Sequence, residues 1–382
     1  MRIIFLTFLI AICSKNIFAQ RLLHSSNIPV QKLRIIPEQL RGGTVSEQLS
    51  DLEYIPLNSG KKDVISSISY VEVIEDRIIF FDYENGGVFI FDFKGNLIKR
   101  FKEIDGYKRK NDWRYYRLEK DGNHFNIIGQ SLKAQFDKNG ELIELDKDYK
   151  FDSSSPKTKV GSSYYQSSPL FIAMDTISDY ALKFQDSVLI KYNTRDSIKA
   201  SYNSYVSLMK VSDNKAYAVF PNTYQIFELG EEGIINRKQF IFPLKNTIDT
   251  SEYVHFKNSR KSYDFLNNNK SKIFGVGRPI PYKQYLMLYI SSFGSSSWVA
   301  MNLETNEIIN LDKILPDKSN DYMEFLDHNF LISDGEYLYS CIYPNSIQSA
   351  KDKSREESHE LRKSYEEFAK SPNPILVRFK LK

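Results

Sequence analysis

The chain has 382 residues, 14% of them aromatic, with 25 Tyr and 26 Phe, which supplies bulk for a large core and excludes a disordered chain. Its net charge is only +4, and half of that excess, Arg2 and Lys15, lies in the first nineteen residues, so no nucleic-acid footprint is expected. The two cysteines, Cys13 and Cys341, exclude a disulfide framework.

Residues 1–19, MRIIFLTFLIAICSKNIFA, read as a signal peptide. Arg2 is a minimal basic start, Ile3 to Cys13 is an apolar run too short to span a bilayer, and Ala19 precedes the expected cleavage point. Ile17 is larger than such a site prefers. The rival reading is a lipid anchor at Cys13, against which stands the branched Ile12 before it. The chain is expected to be exported, to the periplasm or cell surface, with no transmembrane segment once the signal is removed. Cys341, in YLYSCIYP, then reads as a buried small apolar residue on a strand. Residues 20–48 form an N-terminal extension with a flexible joint at Arg41-Gly42-Gly43. Leu49 to Leu57, LSDLEYIPL, is a strand that Pro56 confines to an edge or a strand end.

The stretch from Ser66 to Lys102, SSISYVEVIEDRIIFFDYENGGVFIFDFKGNLIKRFK, predicts four strands at 66–74, 77–82, 87–92 and 96–101. Each is rich in Val, Ile, Phe and Tyr, and each break is a turn former. The unit is close to the length of a propeller blade, and a lone sheet of this kind must stack on copies of itself. Weaker copies follow at 113–146, 169–202, 204–242 and 273–311, with a sixth beginning near 322. Residues 147–168 read as a long loop. Residues 244–272 and 346–370 read as partly helical insertions. The sixth unit ends in ILVRFKLK and lacks a fourth strand, which the orphan strand near 52–57 can supply. The predicted fold is therefore all-β: a six-bladed β-propeller of four-stranded antiparallel blades over residues 49–382, its ring closed by the N-terminal strand.

LEYIPL, DRIIFFDYENGGVFIFDFKGNLIKRF and the NPILVRFKLK ending resemble the six-bladed β-propeller family of exported Bacteroidetes-type proteins, propellers of the NHL/TolB-like kind. The resemblance covers about residues 49–382, most firmly the first blade and the two ends. It implies an exported or lipid-anchored protein of unassigned biochemical role. The family's Gly-Pro-Gly segment after the first blade is replaced here by KEIDGYKRKNDWRYY, so nothing tied to that segment carries over.

In an antiparallel meander, loops between blades share a face with loops joining second to third strands. Both insertions are therefore expected on one face, together with loops at 102–112, 147–168 and 291–297. Candidate ligand-binding residues there are Arg278, Arg109, Trp113, Tyr115, Trp298 and Tyr343, with Tyr107 and Tyr164 nearby. Aromatics with Arg suit sugar rings, peptides or anions. Trp113, Tyr115 and Trp298 sit on strand-like runs, where such residues are more often inter-blade packing. Arg278 stands out because Gly275 and Gly277 permit close backbone approach, although a salt-bridged structural Arg fits as well.

No catalytic set emerges. The five histidines share no metal-ligand spacing. The expected inner-strand starts, Ser66, Arg114, Ser168, Ser204, Arg278 and Asp321, hold one carboxylate, which argues against a central Ca²⁺. No metal or cofactor is expected. The reading is an exported ligand- or protein-binding module at the cell envelope, its partner a small molecule, a glycan or an envelope protein. Two alternatives remain open: a lyase or hydrolase of peptide or sugar substrates, and a structural subunit of an envelope assembly.

Overall fold

The computed structural model describes residues 28–60, 64–82, 84, 86–107, 117–129, 131–149, 157–169, 172–173, 176–177, 179–185, 187–193, 206–248, 264–265, 267–327, 330–362, 365, 368 and 371–382. Two compact units are distinguished. One draws on the chain up to Gln39, Ser154–Pro279 and Leu288–Ser296; the other on Leu40–Ser153, Ile280–Met287 and Ser297–Lys382.

The described chain opens with β1 (Val30–Arg34), which runs parallel to the strand Gly233–Ile241 and becomes a fifth strand on that sheet. The sequence gives this strand little signal, because only Val30 and Leu33 are apolar in it. β2 (Gly43–Thr44) pairs in parallel with Ile314–Leu315. The expected flexible joint is instead a close-packed seam. A Cβ on Gly42 would lie 2.0 Å from the Lys313 carbonyl carbon. Asn310 N–H donates to Arg41 O at 3.0 Å, and Lys313 Nζ to Leu40 O at 3.0 Å. Only glycine fits such an approach. A single helical turn, α1 (Val45–Gln48), leads into β3 (Leu49–Pro56).

Blade one is β4 (Ser69–Ile74), β5 (Arg77–Phe81), β6 (Val88–Asp92) and β7 (Leu97–Phe101), paired in that order. Ile78, Ile79, Phe80 and Phe81 are all fully buried, so the sheet is covered on both faces. That explains its continuous rather than alternating apolar pattern. On one face Ile79, Phe81, Val88 and Ile90 meet Phe125, Ile127 and Leu132 of the next blade. On the other, Phe80, Phe89 and Phe91 stack at centroid distances of 5.5–6.1 Å and meet Ile55, Tyr339 and Leu376. Each such side chain contributes about 1.5–3 kcal/mol by leaving water. Gly95, at φ +79°, turns the last hairpin, and a Cβ there would lie 1.9 Å from Pro56 O.

Blade two is β8 (Arg117–Asp121), β9 (His124–Gly129), β10 (Leu132–Asp137) and β11 (Leu142–Asp146). Blade three departs from expectation. Its strands are β12 (Lys157–Val160), β13 (Ser163–Pro169), β16 (Asp179–Phe184) and β17 (Ser187–Asn193), with the small ladder β14 (Ile172–Ala173) and β15 (Thr176–Ile177) between them. The stretch expected as a loop at 147–168 thus holds the first two strands. Their Ser, Lys and Tyr content hides them in the sequence, and among the described side chains Val160 and Tyr165 give them buried apolar anchors. The expected fourth strand at 197–202 lies outside the described residues.

Blade four is β18 (Ser207–Ser212), β19 (Lys215–Phe220), β20 (Gln225–Gly230) and β21 (Gly233–Ile241), with β1 added beyond β21. Blade five is β22 (Ile273–Tyr282), β23 (Tyr285–Ser292), β24 (Ser297–Asn302) and β25 (Ile308–Asn310), followed by β26 (Ile314–Leu315). Blade six is β27 (Ile332–Ser333), β28 (Leu338–Ile342) and β29 (Ile375–Leu381), with β3 as its fourth strand. The register sets Val377 opposite Tyr54, so the first and last strands of the propeller share one sheet, as strand counting requires. The segment YMEFL, expected as a strand, is irregular, although Met323 and Phe325 are buried. Between β28 and β29 the chain forms helix α2 (Asn345–Glu356).

Candidate functional site

In β28 every residue is buried, and the next, Tyr343, emerges with 38% exposure. Beneath it Cys341 Sγ lies 3.8 Å from Asp327 Oδ2. Burial, reinforced by the Asp327 charge, pushes the Cys341 thiol far up, so it stays a neutral thiol and a poor nucleophile. The Tyr343 phenol is pushed up to about 12, by burial first and then by Cys341, Asp327 and Asp82 around it. At neutral pH it is a hydrogen-bond donor among acceptors.

Asp82 follows directly on β5 and is fully buried. Oδ2 accepts from Ser66 N–H at 3.0 Å. Oδ1 accepts from the Ser67 hydroxyl at 3.2 Å and Glu84 N–H at 3.1 Å. The carboxylate therefore ties the entry of blade one to the end of its second strand. Asn373, 3% exposed, holds the same entry from the other side. Its Oδ1 accepts from Ile65 N–H at 2.9 Å, and its Nδ2 donates to Leu57 O at 2.9 Å and Ser59 Oγ at 2.8 Å. Tyr70, three residues beyond Ser67, takes φ +47° where the β4–β5 register slips. Its ring meets Phe81 edge-on at 6.2 Å and is 46% exposed. A bulky residue at positive φ is rare and requires support from its surroundings. Ser66, Ser67, Tyr70 and Asp82 from blade one, with Asp327, Cys341 and Tyr343 from blade six, form the candidate site.

Arg278 uses the same backbone device in β22. Its φ is +48°, its side chain is exposed, and its guanidinium lies 4.9 Å over the Tyr289 ring. Gly275 and Gly277 face Pro221, where an added Cβ would be 3.4 and 4.0 Å away, ordinary contact rather than obligatory closeness.

A second carboxylate cluster surrounds Asp321. Expected at an inner-strand start, Asp321 instead ends a 3-10 turn in the connector before β27, at φ +54°. Its neighbour Asn320 donates to the Tyr54 hydroxyl at 3.1 Å, so the connector lies against β3, the opposite edge of that sheet from β27. Burial drives the Tyr54 phenol far above its ordinary range. Asp321 is 2% exposed. Its Oδ1 lies 2.7 Å from His359 Nε2, and its Oδ2 lies 2.9 Å from Arg362 Nε, an ion pair outside hydrogen-bonding angles. Tyr322 meets the His359 ring edge-on at 5.8 Å.

Of the residues singled out from sequence, Arg109, Trp113 and Tyr115 lie outside the described residues, as does Arg114. Trp298 is 1% exposed within blade five, and its backbone N–H donates to Asp312 Oδ2 at 2.6 Å; it is a core residue that a ligand cannot reach. Tyr107 packs on the apolar cluster between blades one and two. Tyr343 alone of the six falls in the described cluster at the blade-one entry. Asp82 and Asp327 were missed, although a carboxylate closing the apolar run RIIFF is a readable signal. His359 and Asp321 are 38 residues apart, and no spacing rule reaches that far. Among the described residues, no group of three or more His, Cys, Asp or Glu is placed to hold a metal ion, and no helix is long and apolar enough to cross a membrane.

No protein-family model matches the chain, and no curated protein matches it. A crystal structure of a Bacteroides fragilis protein, provisionally described as exported, aligns with a TM-score of 0.61, at 13% identity over 93% of this chain and 100% of that one. The shared fold is the six-bladed β-propeller. A member of the DUF4221 family from Bacteroides vulgatus aligns with a TM-score of 0.44, at 12% identity over 88% of this chain and 98% of that one.

Proposed function

We propose that this propeller is an exported binding module of the cell envelope, and that its ligand is a hydroxyl-rich or cationic small molecule, such as a glycan, held at Tyr343. The supporting observation is the setting of Tyr343: a solvent-facing phenol kept protonated over Asp82 and Asp327. Exposed Tyr70 and the Ser66 and Ser67 hydroxyls belong to the same blade-one entry. An aromatic face with acceptors beneath it suits sugar rings and amines. The alternative, a lyase or hydrolase using Arg278 and a tyrosine as electrophile and acid, gains no nucleophile from Cys341, whose thiol burial pushes far up.

The test is a thermal-shift screen of the chain from Gln20 against glycans, amines, peptides and divalent metals. Ligand at about 100 times its Kd adds about 2.7 kcal/mol to the folded state, a rise of a few degrees. The expected result is a glycan or amine hit that is lost in Tyr343→Ala and kept in Arg278→Ala. A hit kept in Tyr343→Ala and lost in Arg278→Ala would move the site to β22. No hit across the panel would contradict a small-molecule site and turn the search to a protein partner.

A further inference from the structure

Blade four is the one described sheet with a fifth strand. That strand, β1, sets Lys32 opposite Gln239 and Arg34 opposite Ile241 on β21. Strand alternation puts Lys32, Arg34 and Ile36 on one face, and Leu33 and Ile35 on the other. Ile35 is 2% exposed, so the second face is the inner one. Lys32 and Arg34 are exposed, and so is Ile36 at 41%. The pairing runs on past β1, since Ile35 N–H donates to Ile241 O at 3.0 Å. Both strands therefore leave the sheet side by side at the same end.

Each then makes a 3-10 turn, Pro37–Gln39 after β1 and Leu244–Asn246 after β21. Glu38 joins the two turns. Its Oε1 accepts from Asn246 Nδ2 at 3.1 Å and pairs with Lys245 Nζ at 3.1 Å. Asn246 is 2% exposed; its N–H closes the second turn on Pro243 O at 2.8 Å, and its Nδ2 also donates to Ser271 O at 3.2 Å. On this pinned turn Leu244 is 89% exposed, the most exposed large apolar side chain among the described residues. A lone exposed leucine is common, so the charge around it decides its meaning. Residues 30–39 and 233–247 hold Lys32, Arg34, Arg237, Lys238 and Lys245 against one carboxylate, Glu38. Lys238 is buried, Arg237 is held by Gln225 over the Phe227 ring, and Glu38 offsets Lys245. Lys32 and Arg34 remain on the outer face as an uncompensated positive charge beside Ile36 and Leu244.

We infer that this edge of blade four docks on an anionic lipid surface, with Leu244 and Ile36 entering the headgroup layer and Lys32 and Arg34 facing the lipid phosphates. Interfacial binding draws on buried apolar area and on attraction to anionic lipid together, and this edge offers both. A soluble polyanion would use the two cations and leave Leu244 in water. Ile143 on β11 supplies the contrast. It is 51% exposed, yet exposed Glu144 and Asp146 follow it on the same strand and repel an anionic surface. Tyr343 and the blade-one entry play no part, so this surface stands or falls separately from the glycan reading.

The test is co-sedimentation with lipid vesicles of the chain from Gln20, which lacks the apolar run Ile3 to Cys13. Vesicles of phosphatidylcholine alone are compared with vesicles of phosphatidylcholine mixed with phosphatidylglycerol, at low and at physiological salt. The expected result is binding to the mixed vesicles about tenfold stronger than to phosphatidylcholine alone, and weaker as salt rises. Leu244→Ser is expected to lower that binding about tenfold, and so is the double variant Lys32→Gln with Arg34→Gln. Ile143→Ser is expected to leave it unchanged. All four side chains are exposed, so the variants keep the fold, which urea unfolding checks. No binding to the mixed vesicles, or equal binding to both kinds, overturns the proposal. Loss in the double variant with none in Leu244→Ser makes the patch a site for a soluble polyanion and overturns it too. An equal loss in Ile143→Ser marks non-specific adsorption, with the same consequence.

Discussion

Asp82 and Asp321 are both buried carboxylates beside αL or turn backbone, yet they are satisfied in opposite ways. Asp82 takes neutral donors from residues at most 16 positions away, two of them backbone N–H groups. Asp321 takes an imidazole and a guanidinium from 38 and 41 positions further on. Local neutral donors cannot leave without unfolding the turn they belong to. Distant polar side chains can leave while the turn around the carboxylate stays folded, because water accepts them readily. One carboxylate builds the candidate site; the other meets side chains that follow helix α2.

The largest expected effect breaks the first half of that contrast. Asp82→Ala removes a fully buried carboxylate with three donors, leaving the Ser66 and Glu84 N–H groups without their acceptor, and should cost roughly 3 kcal/mol of global stability in urea unfolding. A milder effect sharpens the second half. Asp321→Asn should cost about 1.5–3 kcal/mol, and combined with Arg362→Gln it should cost less than the two single losses together, because both remove one interaction. Additive losses would mean that the pair does not act as a unit. Smaller still, Arg378→Gln removes an ion pair to half-exposed Glu53 and should cost under about 1 kcal/mol.

The smallest effect concerns pH. The Tyr343 phenol titrates in the folded protein near 12, above the value of about 10 for an unfolded tyrosine. A raised folded value means that the stabilisation from the neutral phenol is complete below about pH 10 and is lost as pH rises through 12. Ultraviolet titration of wild type against Tyr343→Phe should show one fewer late-titrating tyrosine. Loss of a phenol that titrates near pH 10 would remove the electrostatic basis of the site.

Legibility in the sequence followed burial on two faces. Blade one carries Phe80, Phe81, Phe89 and Phe91 without interruption, and its four strands were placed within three residues of their observed ends. The closing role of β3 followed from counting strands, since a sheet edge left open must be filled. Blade three was misplaced because β12 and β13 carry Lys, Ser and Thr at positions where the other blades carry Ile and Phe. β1 was missed because a parallel edge strand needs backbone pairing more than apolar side chains. Within the site, Tyr343 was legible as an aromatic at a strand end. Asp82 acquires its meaning only from the fold of Ser66 and Ser67 back onto it, and Asp321 only from an arm that returns from a helix. The αL backbone of Tyr70 and Arg278 had no sequence signal, as neither is a residue that favours positive φ.

The contrast between the two carboxylates is tested most directly by native-state hydrogen exchange at single amides. Ile65 and Ser66, which donate to Asn373 and Asp82, should exchange only with global unfolding. His359 N–H, which donates to Ser354 O, should exchange through a lower-energy opening that Arg362→Gln makes easier still. Equal protection at both places, unchanged by Arg362→Gln, would contradict the account, because it would make residues 359–362 as permanent a part of the fold as the blade-one entry.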